Sequence, residues 1–222
     1  MRFVHLARGL ALSLGALAAA SAQAAGNIQI TEWMYNGSEF IEFTNVGDAA
    51  VDFNGWSFDD DSNTPGMVSL TAFGSVAAGE SVILSQDSAS VFSATWGLSS
   101  TVKVIGGNTN NLGRNDQINL YDNANNLIDR LTFGDQNIAG TIRTDVRSGN
   151  PTSLLALAGQ SVTPTTWVLS STGDAYGSIT STTGGFIANP GTFALAAVPE
   201  PTGLVLALGG LAWLGSTRRR AR

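Results

Sequence analysis

Residues 59–63 form the stretch of this sequence that most resembles a cation site, because they read Asp-Asp-Asp-Ser-Asn. Asp59, Asp61 and Asn63 stand two residues apart, so a turning loop could bring their oxygens together around Ca²⁺, which binds oxygen ligands. The loop lacks the central glycine and the terminal glutamate of an EF-hand. Acidic runs also mark solvated loops, and that is the interpretation we favour. The sequence therefore offers Ca²⁺ as a candidate cofactor and predicts no other.

A second group of carboxylates could perform acid–base chemistry. Glu32, Glu39 and Glu42 lie in two alternating segments, and a pair of carboxylates is what glycoside hydrolysis requires. Residues of one parity share a strand face, so Glu39 points with Ile41, whereas Glu42 points with Phe40. We expect these carboxylates on the solvated face of a sheet, because glutamates are seldom fully buried. A carboxylate-dependent hydrolase of surface glycan is kept as the alternative function.

Other reactive side chains are scarce. The chain of 222 residues has no cysteine and one histidine, His5, and residues 25–198 hold 5 basic and 16 acidic residues. This composition excludes Ser-His-Asp and Cys-His catalysis, zinc sites built from His or Cys, and disulfides in the mature chain. The acidic balance argues against nucleic acid as a partner, because phosphates bind basic surfaces. Trp33 and Trp167 are candidates for stacking against sugar rings.

The first 24 residues have the three parts of a secretory signal peptide. Arg2 and Arg8 supply a basic start, residues 10–20 are largely apolar, and Ala22 and Ala24 are the small residues that precede a cleavage point. We therefore predict export and cleavage by signal peptidase after residue 24.

The C-terminus carries three ordered elements. The triplet Pro199, Glu200 and Pro201 is followed by an uncharged stretch at 202–217. That stretch is close to the shortest helix, about 17 residues, that spans a bilayer. The basic end, which the positive-inside rule places in the cytoplasm, consists of Arg218, Arg219, Arg220 and Arg222. An ordinary C-terminal membrane anchor is the other interpretation.

These three elements resemble the PEP-CTERM sorting signal of Gram-negative, exopolysaccharide-producing bacteria, and the match covers residues 199–222. The resemblance implies recognition by an exosortase, a membrane protease of the transpeptidase type. It also implies a protein exported to the envelope, the cell surface or the extracellular matrix, and held by its C-terminal transmembrane helix before processing.

Between the two ends, short alternating segments predict an all-β domain. The predicted strands lie at 27–31, 39–44, 51–58, 68–73, 81–84, 101–105, 117–121 and 127–133. One short helix is predicted at 88–96, with Asp87 as its N-cap, Val91 on its buried face and Gly97 at its end. Short strands at regular spacing favour a β-sandwich over an alternating α/β fold.

Several of these segments resemble the lamin tail domain, an immunoglobulin-like β-sandwich. The matching segments are 28–32 with 39–45 for its opening E…EFIE-x-x-N, 51–58 for its DLSGW-x-L strand, 78–84 for the next strand, 115–120 with 127–134 for its closing hairpin, and 189–192 for its G-x-P-G ending. The departures are Asn115, where a glycine is usual, and Phe133, where a tyrosine is usual.

The resemblance implies an immunoglobulin-like β-sandwich over 25–135. Residues 136–198 form an extension rich in Gly, Ser and Thr, which could add one or two strands to the sandwich edge or form a surface arm. We expect it to complete the sandwich, because Trp167 favours docking onto the core. The predicted function is a non-enzymatic, envelope-sorted interaction module whose partner is exopolysaccharide or another surface protein.

Overall fold

The computed structural model describes residues 25–134, 141–159 and 161–195. Within these ranges, no helix is both long and apolar enough to cross a bilayer. The predicted signal peptide at 1–24 and the predicted sorting signal at 199–222, with its apolar stretch at 202–217, lie outside the described residues. Both therefore stay predictions.

The described chain is mostly β-structure. In chain order its strands are β1 (Ile28–Met34), β2 (Phe40–Asn45), β3 (Val51–Asp52), β4 (Ser57–Asp59), β5 (Val68–Ser69), β6 (Ser75–Val76), β7 (Ser81–Ser85), β8 (Lys103–Ile105), β9 (Asn115–Tyr121), β10 (Leu127–Gly134), β11 (Gly149–Pro151), β12 (Trp167–Leu169), β13 (Ile179–Thr180) and β14 (Ile187–Ala188). Its helices are α1 (Ala89–Trp96) and the single turn α2 (Leu154–Leu157). The predicted short helix is thus confirmed as α1.

Two sheets form a sandwich. The first has the order β12-β11-β1-β2-β7-β8 and the second has the order β10-β9-β4-β5. Neighbouring strands are antiparallel except for β7 and β8, which run parallel across the connection that contains α1. The mostly-β architecture agrees with the predicted immunoglobulin-like sandwich.

The main core lies between the two sheets. The first sheet contributes buried side chains such as Ile41 and Phe43, and the second contributes Ile118, Leu120 and Leu131. These residues alternate along their strands, so that each strand gives the core every second side chain. The alternation that predicted the strands therefore also identifies this core.

A smaller cluster covers the other face of the first sheet. Phe40 of β2 contacts Phe92 of α1, with the ring centroids 5.4 Å apart, and it contacts Trp96 with the centroids 6.2 Å apart. Met34, Ile83 and Ala188 complete the cluster. The first sheet is therefore buried on both faces, which is why every residue of β2 is buried.

The caps of α1 differ in part from the prediction. Ser88, not Asp87, is the N-cap, and its hydroxyl accepts from the backbone N–H of Val91. Val91 is 51 % exposed, so its placement on the buried face was wrong, and Thr95 takes that face instead. Gly97 ends the helix in the left-handed conformation, as predicted, at a φ of 63°.

The segment 51–58 is two strands rather than one. β3 pairs with β6, whereas β4 pairs with β5 and β9 of the second sheet. Gly55 lies between them at a φ of 78°, a conformation that favours glycine. The predicted strand at 68–73 likewise shortens to β5, because Thr71–Phe73 form a 3₁₀ turn.

The extension supplies strands to the first sheet. β11 pairs with β1 through Trp33 and Gly149, and β12 pairs with β11. Trp167 and Trp33 are both fully buried, with ring centroids 5.0 Å apart in an edge-on contact. The prediction that these two tryptophans could stack against sugars was therefore wrong, because they pack against each other in the core.

Trp167→Ala should lower the free energy of unfolding of the full chain by about 3–5 kcal/mol, the usual cost of truncating a buried aromatic side chain. Denaturant unfolding of the full chain in mild detergent measures this change. Leu155→Ala, in the same extension, is the matched control, because Leu155 is 83 % exposed and its truncation should change stability by less than about 0.5 kcal/mol. Equal stability of the two variants would contradict a docked extension.

Candidate functional site

A buried pair of glutamates lies on the face of the first sheet that α1 also covers. Glu32 of β1 stands opposite Glu42 of β2, and neither side chain has any exposed surface. The prediction that these carboxylates are solvated was therefore wrong. Sequence alternation identifies the face of a strand, but it does not show that a segment about 150 residues further along the chain covers that face.

A β-bulge creates this pairing. The register of β1 with β2 shifts between Ile30 and Glu32, so that Ile30 is opposite Phe43 but Glu32 is opposite Glu42. Thr31 is the extra residue, and its hydroxyl donates to Glu42 Oε1 at 2.8 Å. The bulge thus places Thr31 and Glu32 next to the Glu42 carboxylate. The sequence carries a signal for this bulge. The core-facing residues Ile28 and Ile30 are two positions apart, whereas Ile30 and the next core-facing residue, Trp33, are three positions apart.

Both oxygens of Glu42 accept hydrogen bonds. Thr31 and Thr44 hydroxyls lie 2.8 and 3.2 Å from Oε1, and either can donate to it. The backbone N–H of Gly191 donates to Oε2 at 2.7 Å. Because Gly191 belongs to the segment at the end of the described chain, Glu42 fastens that segment to the middle of the sheet.

Glu32 is satisfied on one oxygen only. Oε1 accepts from the Ser148 hydroxyl and, at 2.9 Å, from the backbone N–H of Asn189. Oε2 is buried and accepts no hydrogen bond from the described residues. A buried carboxylate oxygen without a donor disfavours the charged form of this side chain.

A network of neutral polar groups surrounds Glu32. The Ser148 and Ser170 hydroxyls lie 2.5 Å apart, and Asn150 Nδ2 donates to Ser170 Oγ at 2.8 Å and to Asn189 Oδ1 at 2.9 Å. All four residues are buried. The sequence reasoning missed Ser148, Asn150 and Ser170, because isolated serines and an asparagine in a Ser/Thr-rich stretch carry no distinguishing pattern.

The charges near the pair are unfavourable to two ionised carboxylates. Burial and the neighbouring Glu42 raise the pKa of Glu32 well above its usual range, and Asp174 adds to the effect. Burial also raises the pKa of Glu42, although hydrogen bonds from Thr31 and Gly191 oppose this rise. These causes favour a neutral carboxyl in the pair over two ionised ones.

Three further polar residues of the predicted lamin-tail motifs also form hydrogen bonds between their side chains and backbone groups. Glu39 accepts from the backbone N–H of Leu112 at 2.9 Å, and Asp129 accepts from that of Ile30 at 2.7 Å. The Asn45 amide donates to the carbonyls of Ala49 and Val76. Burial raises the pKa of Glu39 to about 7 and that of Asp129 to about 6.

The acidic loop at 59–63 lies elsewhere, at the end of β4. Asp59 is buried, and its carboxylate accepts from the Ser62 hydroxyl at 2.7 Å, the Thr64 backbone N–H at 2.5 Å and the Asn110 amide at 3.0 Å. Asn63 Oδ1 accepts from the Arg130 guanidinium, and Asp61 is exposed.

These contacts do not fit a calcium ion at Asp59, Asp61 and Asn63, because a guanidinium and neutral donors occupy oxygens that Ca²⁺ would need. Among the residues that the structure describes, no group of three or more His, Cys, Asp or Glu side chains could hold a metal ion. Calcium binding by this loop stays a prediction without structural support.

Comparison with known families decides what these motifs belong to. The family model of the lamin tail domain matches residues 21–135, which is slightly more than half of the chain. The chain belongs to the lamin tail domain family. Glu32, Glu39 and Glu42 of this lamin tail domain are buried acceptors for backbone N–H groups. A search of curated proteins finds no match to the chain.

The buried carboxylates predict how the stability of the domain depends on pH. Glu39 has a folded pKa of about 7, above the ordinary value of 4.5. Its contribution to stability is therefore fully present below pH 4.5 and is lost as the pH rises through about 7. We expect the free energy of unfolding to fall from pH 5 to pH 8, and Glu39→Gln to remove about 2 kcal/mol of that fall.

Thermal and denaturant unfolding of the full chain across this pH range measure the effect. Asp52→Asn is the matched control, because it removes a carboxylate that is exposed, and it should keep the wild-type pH dependence. A Glu39→Gln variant whose stability falls as steeply as that of the wild type would contradict the assignment to Glu39.

Proposed function

We propose that this chain is a non-enzymatic interaction module, exported and sorted to the envelope of a Gram-negative bacterium, where it binds the surface or the exopolysaccharide matrix. Its lamin tail domain is an immunoglobulin-like fold of the kind that serves in binding and structure. The export and sorting parts rest on the sequence patterns at 1–24 and 199–222.

The burial of Glu32 and Glu42 is the observation that carries the non-enzymatic part of the proposal. A glycosidase needs two carboxyl groups that flank the scissile bond of a bound sugar. Here both carboxyls of the candidate pair are fully buried beneath residues 187–192, and their oxygens accept hydrogen bonds from backbone and hydroxyl groups. In this arrangement neither carboxyl can contact a substrate, so the hydrolase alternative has no support from this pair.

The surface charge indicates which partners suit the domain. The described residues include 15 Asp and Glu against 5 Lys and Arg. Although Glu32, Glu39, Glu42 and Asp59 are buried, acids still outnumber bases two to one on the rest of the domain. A surface of this kind suits a neutral glycan or a basic protein surface and repels nucleic acid and acidic polysaccharide.

The sorting proposal is tested by the position of the protein in its host. Deletion of residues 199–222 should abolish retention in the envelope and release the protein to the medium, as cell fractionation and immunoblotting would show. A triple variant, Pro199→Ala, Glu200→Ala and Pro201→Ala, keeps the apolar stretch and the arginines. It should remain in the membrane unprocessed. Normal processing of the triple variant would show an ordinary membrane anchor instead of a sorting signal.

The binding proposal is tested with two polymers of opposite character. The full chain in mild detergent should be retained on a neutral glucan, with weaker retention on a polyuronate at low salt and no release of reducing ends from either. Release of reducing ends that Glu42→Gln abolishes would establish the hydrolase alternative. A surface protein as partner would be indicated by retention on isolated outer membranes that polysaccharide does not compete away.

A further inference from the structure

The end of the described domain is held down through the glutamate pair. β14 and the turn that follows it span residues 187–192, which we call the closing segment. The backbone N–H groups of its Asn189 and Gly191 donate to Glu32 and Glu42 respectively. Ile187 adds backbone hydrogen bonds to Val146 and Ser148. Ala188, which directly precedes Asn189 and belongs to the same buried cluster as Phe40, is fully buried. The closing segment thus supplies one backbone donor to each carboxyl of the pair.

The groups that face the pair from each neighbouring element are almost all neutral. β1 and β2 contribute Thr31 and Thr44, β7 contributes Ser81, and the extension contributes Ser148 and Ser170. The charged groups nearby are Asp174, which disfavours a second negative charge, and Arg147, which lies beside Ile187 of the closing segment. The Arg147 guanidinium donates to the backbone carbonyl of Ser170 and therefore does not contact a carboxylate of the pair.

Two negative charges at this buried site would contact no cationic side chain from the part of the chain that the structure describes. A proton on Glu32 removes one of these charges, and Oε2 is the oxygen available for it, because Oε1 already accepts two hydrogen bonds. Glu42 can remain ionised, since both of its oxygens accept hydrogen bonds.

We propose that the Glu32–Glu42 pair is a proton-operated latch: with one proton on the pair the closing segment is docked, and loss of that proton to solvent releases the segment while the rest of the sandwich stays folded. Release takes both carboxyls into water, where two charges are tolerated. The step is a proton transfer to water or buffer base and breaks no covalent bond.

The direction of the latch follows from the burial of the pair. Acidic surroundings keep the closing segment docked, and alkaline surroundings release it. The latch needs only the described domain, so it holds whether or not the proposed sorting and binding functions are correct.

Hydrogen–deuterium exchange of the full chain in mild detergent, from pH 5 to pH 9 and corrected for intrinsic exchange, tests the latch. In the wild type we expect the peptide that covers 187–192 to exchange at least about ten-fold faster at pH 9 than at pH 5, while β9 and β10 keep their protection. Glu32→Gln is neutral at every pH and should keep the peptide protected throughout this range.

Two further variants make the result decisive. Glu39→Gln is the matched control, because Glu39 is a buried glutamate of the same hairpin that contacts Leu112 instead of the closing segment. It should keep the wild-type response. Glu42→Gln removes the other carboxyl of the pair and should also abolish the response, which preserves the test if Glu32→Gln does not fold.

Three outcomes would overturn the latch. The first is equal protection of residues 187–192 in the wild type at pH 5 and pH 9. The second is simultaneous loss of protection in the closing segment, β9 and β10, which would show global unfolding. The third is a pH-dependent loss of protection, as in the wild type, in a folded Glu32→Gln or Glu42→Gln variant.

Discussion

The architecture of this domain depends on buried or half-buried carboxyls that accept hydrogen bonds from backbone N–H groups far away in the chain. Glu39 reaches Leu112, Asp129 reaches Ile30, Glu42 reaches Gly191 and Glu32 reaches Asn189. Each contact satisfies a backbone donor in a distant part of the chain. A buried acceptor that loses its donor costs more than an ordinary hydrogen bond contributes, so these contacts select one arrangement of the chain.

This constraint explains why the extension belongs to the sandwich. The family model ends at residue 135, but Glu32 and Glu42 in its opening motif are completed only by residues 148, 189 and 191. Trp33, the neighbour of Glu32 in β1, packs against Trp167 on the opposite face of the same strand. One strand therefore recruits the extension twice, through a polar contact on one face and an aromatic contact on the other.

The sequence predicts the local features of this fold better than its long-range ones. Period-two alternation locates β1, β2, β9 and β10, and Gly97 locates the end of α1, because both signals depend on neighbouring residues. The burial of Glu32 depends on a bulge at Thr31 and on Asn189, which lies 157 residues away from it. Propensity and alternation carry no information about contacts at that separation, so the same glutamates looked solvated. Trp33 and Trp167 were misassigned for the same reason.

The acidic residues of the domain fall into two populations with opposite roles. Acids outside the core, such as Asp60 and Asp61, contribute to the negative electrostatic potential at the surface that a binding partner approaches. They also interact with Asp116. Buried acids such as Glu32 and Glu42 have no exposed surface, and they hold the closing segment through its backbone N–H groups. A count of carboxylates therefore overstates both the charge of the surface and the supply of catalytic acids. In this chain the acids with the most perturbed surroundings serve the fold, which is why a strongly raised pKa here indicates a structural contact and not a reactive site.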